Sequence, residues 1–362
     1  MKENSIRVAY DISALGQGYV NPKARAGVFR TVESLFCQLA TQGLIDISPI
    51  SFNGFPSLID EENSIQYLRK HFSQIEFDKE TLQTSRWNIK SLHMILNQLH
   101  CKTARYSPKG NGYSYKLALL GKLASDALSK IDSERSFERE KYSIYHSPFY
   151  PLPSTSLVGN IPRIITIYDL IPVLFPKSMT YRNRKTFSSI LRSINIHKDW
   201  VICISENTKR DFCKYTQMPS ERVFVIPLAA QKQMLRINNS SRISEVLSQH
   251  RVPQRPYMLS VCTIEPRKNL KFLIKSFTQL ARIEANLDLN LVLVGVNGWK
   301  NSSIYRQLAE DSDAKKRIFW TGRVDDDHLT ALYSGAMAFV YPSLYEGFGL
   351  PPLDPMHCGT PV

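Results

Sequence analysis

Short apolar, β-branched runs recur between helical stretches along most of this chain, and that alternation limits the fold more than any other feature. "IRVAYDI" at 6–12, "RIITIYDL" at 163–170, "WVICIS" at 200–205 and "RVFVIPL" at 222–228 read as strands. "YMLSVCT" at 257–263, "LNLVLVGV" at 289–296, "RIFWTG" at 317–322 and "AMAFVYPS" at 336–343 continue the series. Strands this uniformly apolar must be buried on both faces, which implies parallel sheets covered by helices on each side. The helices carry their own signals. "GVFRTVESLFCQLATQG" at 27–43 has an apolar row at helical spacing and ends on Gly43. Ser205 is placed to cap the helix that begins "ENTKRDFCKY".

At 362 residues the chain is long enough for about two such domains. The polar stretch "QKQMLRINNSSRISEVLSQHRVPQRP" separates two runs of the strand–helix pattern. The reading is therefore an N-terminal domain over 1–235, a linker over 236–256 and a C-terminal domain over 257–362. No apolar run approaches the ~18 residues of a membrane span, and the N-terminus has no long apolar signal segment. Six scattered cysteines without a CxxC pair point to reduced thiols and a cytoplasmic protein.

The net charge of +14 suits nucleic acid, anionic headgroups or a phosphate-bearing substrate. No nucleic-acid reader module with stacking positions is present, so nucleic acid is not an expected partner. Within 80–140, Lys, Arg, Tyr and Leu fall at helical spacing. Such a basic amphipathic segment is able to lie on an anionic membrane, with packed surface helices as the alternative. The acid cluster "DDDH" at 325–328 is read as a helix N-cap and first turn, so no metal site is expected.

The stretch "SLYEGFGLPPLD" holds Glu346 and Asp354 apart by glycines and prolines. Gly349 permits close backbone approach, and Pro352 suits the first turn of a helix that stops near Gly359. A helix N-terminus favours anions. One carboxylate on each side of a bound diphosphate could accept hydrogen bonds from sugar and ribose hydroxyls. Upstream, Arg267 and Lys268 in "IEPRKNL" follow a strand, at the edge where doubly wound sheets bind ligands. A guanidinium fork beside an ammonium makes a diphosphate clamp.

In order and spacing, "IEPRKNL", "GRVDDDHLTALYSGAMAFVYPS" and "EGFGLPPLDPMHCGTPV" resemble the retaining glycosyltransferases of family four. The resemblance implies a GT-B fold, an α/β architecture of two facing Rossmann-like domains. The N-terminal one would serve the acceptor and the C-terminal one the nucleotide sugar. It implies catalytic or near-catalytic roles for His146, Asp169, Arg267, Lys268 and Glu346. It implies donor contacts by Gly27, Arg323, Val324, Phe348, Gly349, Leu350 and Asp354. Asp354 stands where the family has Glu, Tyr168 where it has His, and Cys262 where Gly is common.

The implied reaction moves a hexose from a nucleoside-diphosphate sugar to a glycan or lipid-linked acceptor with retention, in surface polysaccharide assembly. The flavour of "HSPFYPLP", "YDLIP" and "EPRKN" points toward mannose. No cofactor or metal is expected, because Arg and Lys would neutralise the diphosphate. Contact with the inner face of the cell membrane is a further expectation. Members of the family continue past "GTPV" with more strand and helix, so an incomplete C-terminal domain is expected. A non-catalytic nucleotide-binding or interaction protein is the alternative.

Overall fold

A computed structural model describes residues 6–72 with breaks at 21–24, 26, 44 and 52–57, then 137–230, 234–283, 288–296, 298, 304 and 316–362. The basic amphipathic segment expected within 80–140 lies outside the described residues. The chain divides into two units. The first comprises Met1–Tyr168 and Lys185–Ile226, the second Asp169–Arg184 and Pro227–Val362.

The first unit is built on β1 (Arg7–Asp11), β2 (Asp46–Ile50), β3 (Ile144–Ser147), β4 (Arg163–Ile167), β5 (Trp200–Cys203) and β6 (Val223–Val225). All pair in parallel, in the order β2-β1-β3-β4-β5-β6. The connecting helices include α1 (Leu15–Val20), α2 (Val28–Gln42) and α3 (Leu58–His71). Further along come the short α4 (Thr155–Val158) and α7 (Glu206–Thr216); between them in the chain, α5 (Ile171–Leu174) belongs to the second unit, and α6 (Tyr181–Ser193) begins in the second unit and continues into the first. Phe29, Val32 and Phe36 form the inner row of α2, spaced three and four apart, and pack with Tyr10 and Ile12. Gly43 ends α2 in the left-handed conformation, and Ser205 caps α7 by accepting from the Thr208 N–H. Strand order reverses between β1 and β3, which opens a crevice at their carboxyl ends.

The second unit carries β7 (Tyr257–Val261), β8 (Asn290–Val294), β9 (Ile318–Gly322) and β10 (Ala338–Phe339), parallel in the order β10-β7-β8-β9. Its helices include α8 (Ser240–Gln249), α9 (Leu270–Ile283), α10 (Asp326–Gly335) and α11 (Leu350–His357). Alternation along β8 separates two cores. Leu291 and Leu293 pack with Leu273, Ile274 and Phe277 of α9. Val292 and Val294 share the other core with Val246 and Leu247 of α8 and with Ala331 and Leu332 of α10. Burial on both faces is why these strands read as unbroken apolar runs.

Residues 236–256, expected as a linker, instead hold α8. Asn239 caps that helix by accepting from the Arg242 N–H. Ile243, Val246 and Leu247 then turn one face into the second unit's core. The polar residues that suggested a linker occupy the opposite, exposed face. Among 336–343 only Ala338–Phe339 pair as strand; the chain then leaves the sheet to form the site described next.

Candidate functional site

In the second sheet the order reverses between β10 and β7, so the segments leaving those two strands meet at a switch point. After β7 the chain turns through a 3₁₀ helix, Pro266–Lys268, closed by Asn269 in the left-handed conformation. After β10 comes 340–349, leading to α11. The Leu344 N–H donates to the Arg267 carbonyl at 2.9 Å and ties the two segments together.

Their side chains form one charged cluster. Glu346 Oε1 accepts from Arg267 Nη1 and Lys268 Nζ, each at 2.6 Å, and from the Ser343 hydroxyl. Arg267 also donates to the Tyr345 carbonyl at 2.7 Å and pairs with Glu265. Lys268 donates to the Tyr341 hydroxyl at 2.7 Å. Arg267 and Lys268 are each 9% exposed and Glu265 3%, so these charges are held largely out of water. Burial alone would push the Glu346 carboxyl up; Lys268, Ser343 and Arg267 outweigh it and hold it below its ordinary value. Burial prevails at Glu265 and raises it, against the pull of Arg267 and Lys268. The outcome is two preorganised cations with one fixed carboxylate between them.

Sequence reasoning singled out Arg267, Lys268 and Glu346, and the structure brings all three together. It did not single out Glu265, Tyr341 or Ser343, although Glu265 lies inside the quoted "IEPRKNL". Asp169 accepts from the Ile171 N–H at 2.8 Å, which starts α5. Burial raises its carboxyl, opposed by that N–H and by Arg267. Phe175, just beyond α5, lies with its ring 5.2 Å from that of Tyr345. A cavity of about 440 Å³ beside them is lined by Leu174, Phe175, Pro176, Lys177, Arg267 and Leu344.

Gly349 precedes α11 in the left-handed conformation, with φ of 90°, and Leu350 is the first helical residue. Phe348 and Asp354 are half-buried, and Arg323 is exposed. Val324 is different: its side chain belongs to the core with Leu332 and Val292, so packing occupies it. Asp325 caps α10 by accepting from the His328 N–H, as the "DDDH" stretch led one to expect. Among the described residues no three His, Cys, Asp or Glu side chains are grouped to hold a metal ion.

Two sequence-selected residues lie in the first unit. Gly27 caps α2 with φ of 56° and ψ of −120°, a conformation suited to glycine, and open space surrounds its missing Cβ. His146 pairs in register with Tyr10 across the β1–β3 reversal, with ring centroids 5.2 Å apart. Its Nε2 lies 3.0 Å from the Thr166 hydroxyl. Burial lowers its pKa from 6.5 to about 4, so the ring is neutral at pH 7.

Unfolding frees His146 to take up a proton between those two values. The stability that comes from keeping it neutral is therefore complete above about pH 6.5 and lost as pH falls toward about 4. The loss is expected to reach about 3 kcal/mol. Urea unfolding of wild type and His146→Gln at both pH values tests this. An unchanged pH slope in the variant would assign the acid sensitivity to other groups.

Comparison with known proteins agrees with this geometry. The family model "Glycosyl transferases group 1" matches residues 244–362, and "Glycosyltransferase Family 4" matches 109–230. O-antigen chain mannosyltransferase B of Escherichia coli is 30% identical over 224 residues, 60% of this chain and 56% of that protein. O-antigen chain mannosyltransferase RfbU of Salmonella typhimurium is 28% identical over 55% of this chain and 51% of its own length. The chain thus spans about half the length of these relatives. Among solved structures, sucrose-phosphate synthase from Thermosynechococcus elongatus superposes with a TM-score of 0.54 at 16% identity, over 99% of this chain and 80% of that one. A glycosyltransferase from Rickettsia africae gives 0.52 at 13% identity, over 99% and 78%. At such identities the likeness concerns the fold.

Proposed function

Because this chain belongs to the GT-B, family-four-like glycosyltransferases, we propose that it transfers a hexose, with mannose as our choice, from a nucleoside-diphosphate sugar to a glycan or lipid-linked acceptor, with retention, in surface polysaccharide assembly. The observation that carries this reading is the convergence of Arg267 and Lys268 on Glu346 at the β10–β7 switch point. Support for mannose comes from the sequence relatives, which are O-antigen chain mannosyltransferases.

In this reading the diphosphate shares the two cations with Glu346. Arg267 and Lys268 stabilise the charge that builds on the leaving group as the anomeric C–O bond breaks. They are fixed beforehand, so little reorganisation accompanies the reaction. Glu346 orients both cations and accepts from a sugar hydroxyl. Backbone at Phe348, Gly349 and Leu350 and the carboxylate of Asp354 bind the nucleotide side, with Arg323 near the base. The acceptor oxygen attacks from the face that the diphosphate leaves, and a leaving phosphate oxygen takes the acceptor proton. That route preserves the anomeric configuration. The neutral His146 positions a sugar hydroxyl by hydrogen bonding, and Asp169 orients the acceptor.

Calorimetric titration with GDP and UDP tests the donor site. Saturable binding of one nucleotide is expected, weakened at least ~100-fold in Arg267→Ala/Lys268→Ala, because each lost charged hydrogen bond contributes about 1.5–3 kcal/mol. A folded chain that binds neither nucleotide would overturn the reading. Binding without sugar transfer would favour the non-catalytic alternative, and the anomeric configuration of any product, read by NMR, decides retention.

A further inference from the structure

Resting on the donor-site reading above, we propose that Glu265 takes up a proton from solvent when the donor diphosphate binds, so that the buried cluster does not accumulate negative charge. The cluster's cations are Arg267 and Lys268. Its carboxylates are Glu265, Glu346 and Asp169, the last within electrostatic reach of both cations. All belong to the second unit. With every carboxylate ionised, negative groups already outnumber positive ones. A diphosphate diester adds more negative charge where Glu265 is 3% exposed and Arg267 and Lys268 are each 9% exposed. Water that scarce screens the excess poorly, and a change of protonation relieves it.

Of these carboxylates, Glu265 has the least to keep it ionised. Glu346 accepts from Arg267, Lys268 and Ser343, and its side chain is 21% exposed. Asp169 accepts from the Ile171 N–H and is half-buried. Among the described residues the Glu265 carboxylate accepts from Arg267 Nη2 alone. That guanidinium is already shared, through Nη1, with Glu346 and the Tyr345 carbonyl. A bound diphosphate divides it further. Other groups facing the cluster do not take the role. Burial raises the Cys262 thiol and the Tyr341 hydroxyl, so both are neutral at pH 7 and have no proton to gain. Lys177 lines the neighbouring cavity with Arg267 but is exposed, so water screens its charge.

Protonated Glu265 keeps an oxygen that accepts from Arg267, so the guanidinium holds its orientation. The positive charge of Arg267 is then directed at the diphosphate, which favours the build-up of charge on the leaving group. The proton returns to solvent when the nucleoside diphosphate departs, so the cycle as a whole consumes none.

The test is calorimetric titration of the full chain with GDP-mannose and with UDP-glucose, in buffers of different ionisation enthalpy. Both ligands carry diphosphate diesters, which neither gain nor lose protons near neutral pH. The dependence of the measured heat on the buffer counts the protons taken up, expected to be ~1 per site at pH 7. Wild-type affinity should fall by up to ~10-fold from pH 7 to pH 8. In Glu265→Gln, whose amide stands in for the protonated acid, uptake should vanish and affinity should stay level over that range. At pH 8 the variant should therefore bind more tightly than wild type, whereas damage to the fold would weaken binding at both pH values. Infrared difference spectra of wild type should gain a protonated-carboxyl band on binding, a readout that needs no variant. The proposal fails, with the donor site intact, if wild type binds a sugar nucleotide without proton uptake or without that band. It fails equally if uptake persists in Glu265→Gln, which would assign the proton to another carboxylate. If wild type binds neither sugar nucleotide, the donor reading falls and this proposal with it.

Discussion

Replacing Glu346 with Ala is expected to destabilise the second unit by about 3 kcal/mol, the lower end for breaking a largely buried ion pair. Glu346 Oε1 is the acceptor on which Arg267 Nη1 and Lys268 Nζ both converge at 2.6 Å. Without it Arg267 keeps Glu265 and the Tyr345 carbonyl. Lys268 keeps the neutral Tyr341 hydroxyl and loses its carboxylate. The Glu346 side chain is 21% exposed, which admits some water and places the cost low in the range. Glu346→Gln keeps an acceptor and should cost less. Inorganic pyrophosphate offers the cations a replacement anion, so it should raise the melting temperature of Glu346→Ala more than that of wild type. Equal unfolding curves for wild type and Glu346→Ala would show that the cations do not depend on this carboxylate.

Gly295→Ala is expected to be at least as damaging, at about 3–5 kcal/mol, and to weaken nucleotide binding as well. Gly295 follows β8 with φ of 150°, a conformation that side-chain-bearing residues avoid. A Cβ there would lie 1.8 Å from the Cys262 carbonyl oxygen, a backbone atom that cannot swing aside. The surrounding backbone is pinned. The Cys262 N–H donates to the Val294 carbonyl at 3.0 Å, and the Gly295 N–H to that of Gly322 at 2.9 Å. Relief of the clash must therefore move 262–265, the segment that delivers Glu265, Arg267 and Lys268. Thermal unfolding and the nucleotide titration read the two effects separately. A variant that melts and binds like wild type would mean that the two strand ends tolerate a wider separation.

Cys262, whose carbonyl creates that constraint, also departs from the glycine common at its position in the family. Burial raises its thiol to about 12, so it stays protonated at neutral pH and acts as a packed side chain.

Several features were readable from residues alone because local chemistry decides them. The Ser205 and Asp325 caps and the Gly43 stop each depend on a side chain or backbone within a few residues. The parallel sheets were readable because burial on both faces leaves a direct mark on strand composition. The ordered motifs around Arg267 and Glu346 marked both halves of the charged cluster. Helix α8 was misread as a linker because its inward row is only Ile243, Val246 and Leu247, outnumbered by polar neighbours. Val324, marked for the donor, lies in the core, since a short apolar residue beside a strand end serves packing as readily as a ligand.

The sequence by itself determined the two-domain α/β class, the helix ends and the identity of the charged residues, because periodicity, capping and motif spacing are properties of short segments. Tertiary structure alone decided that Glu346 bridges Arg267 and Lys268, that Glu265 joins them, that Gly295 must lack a side chain and that His146 is held neutral. Each of those outcomes depends on distances between segments brought together by strand order and on how much water their packing excludes.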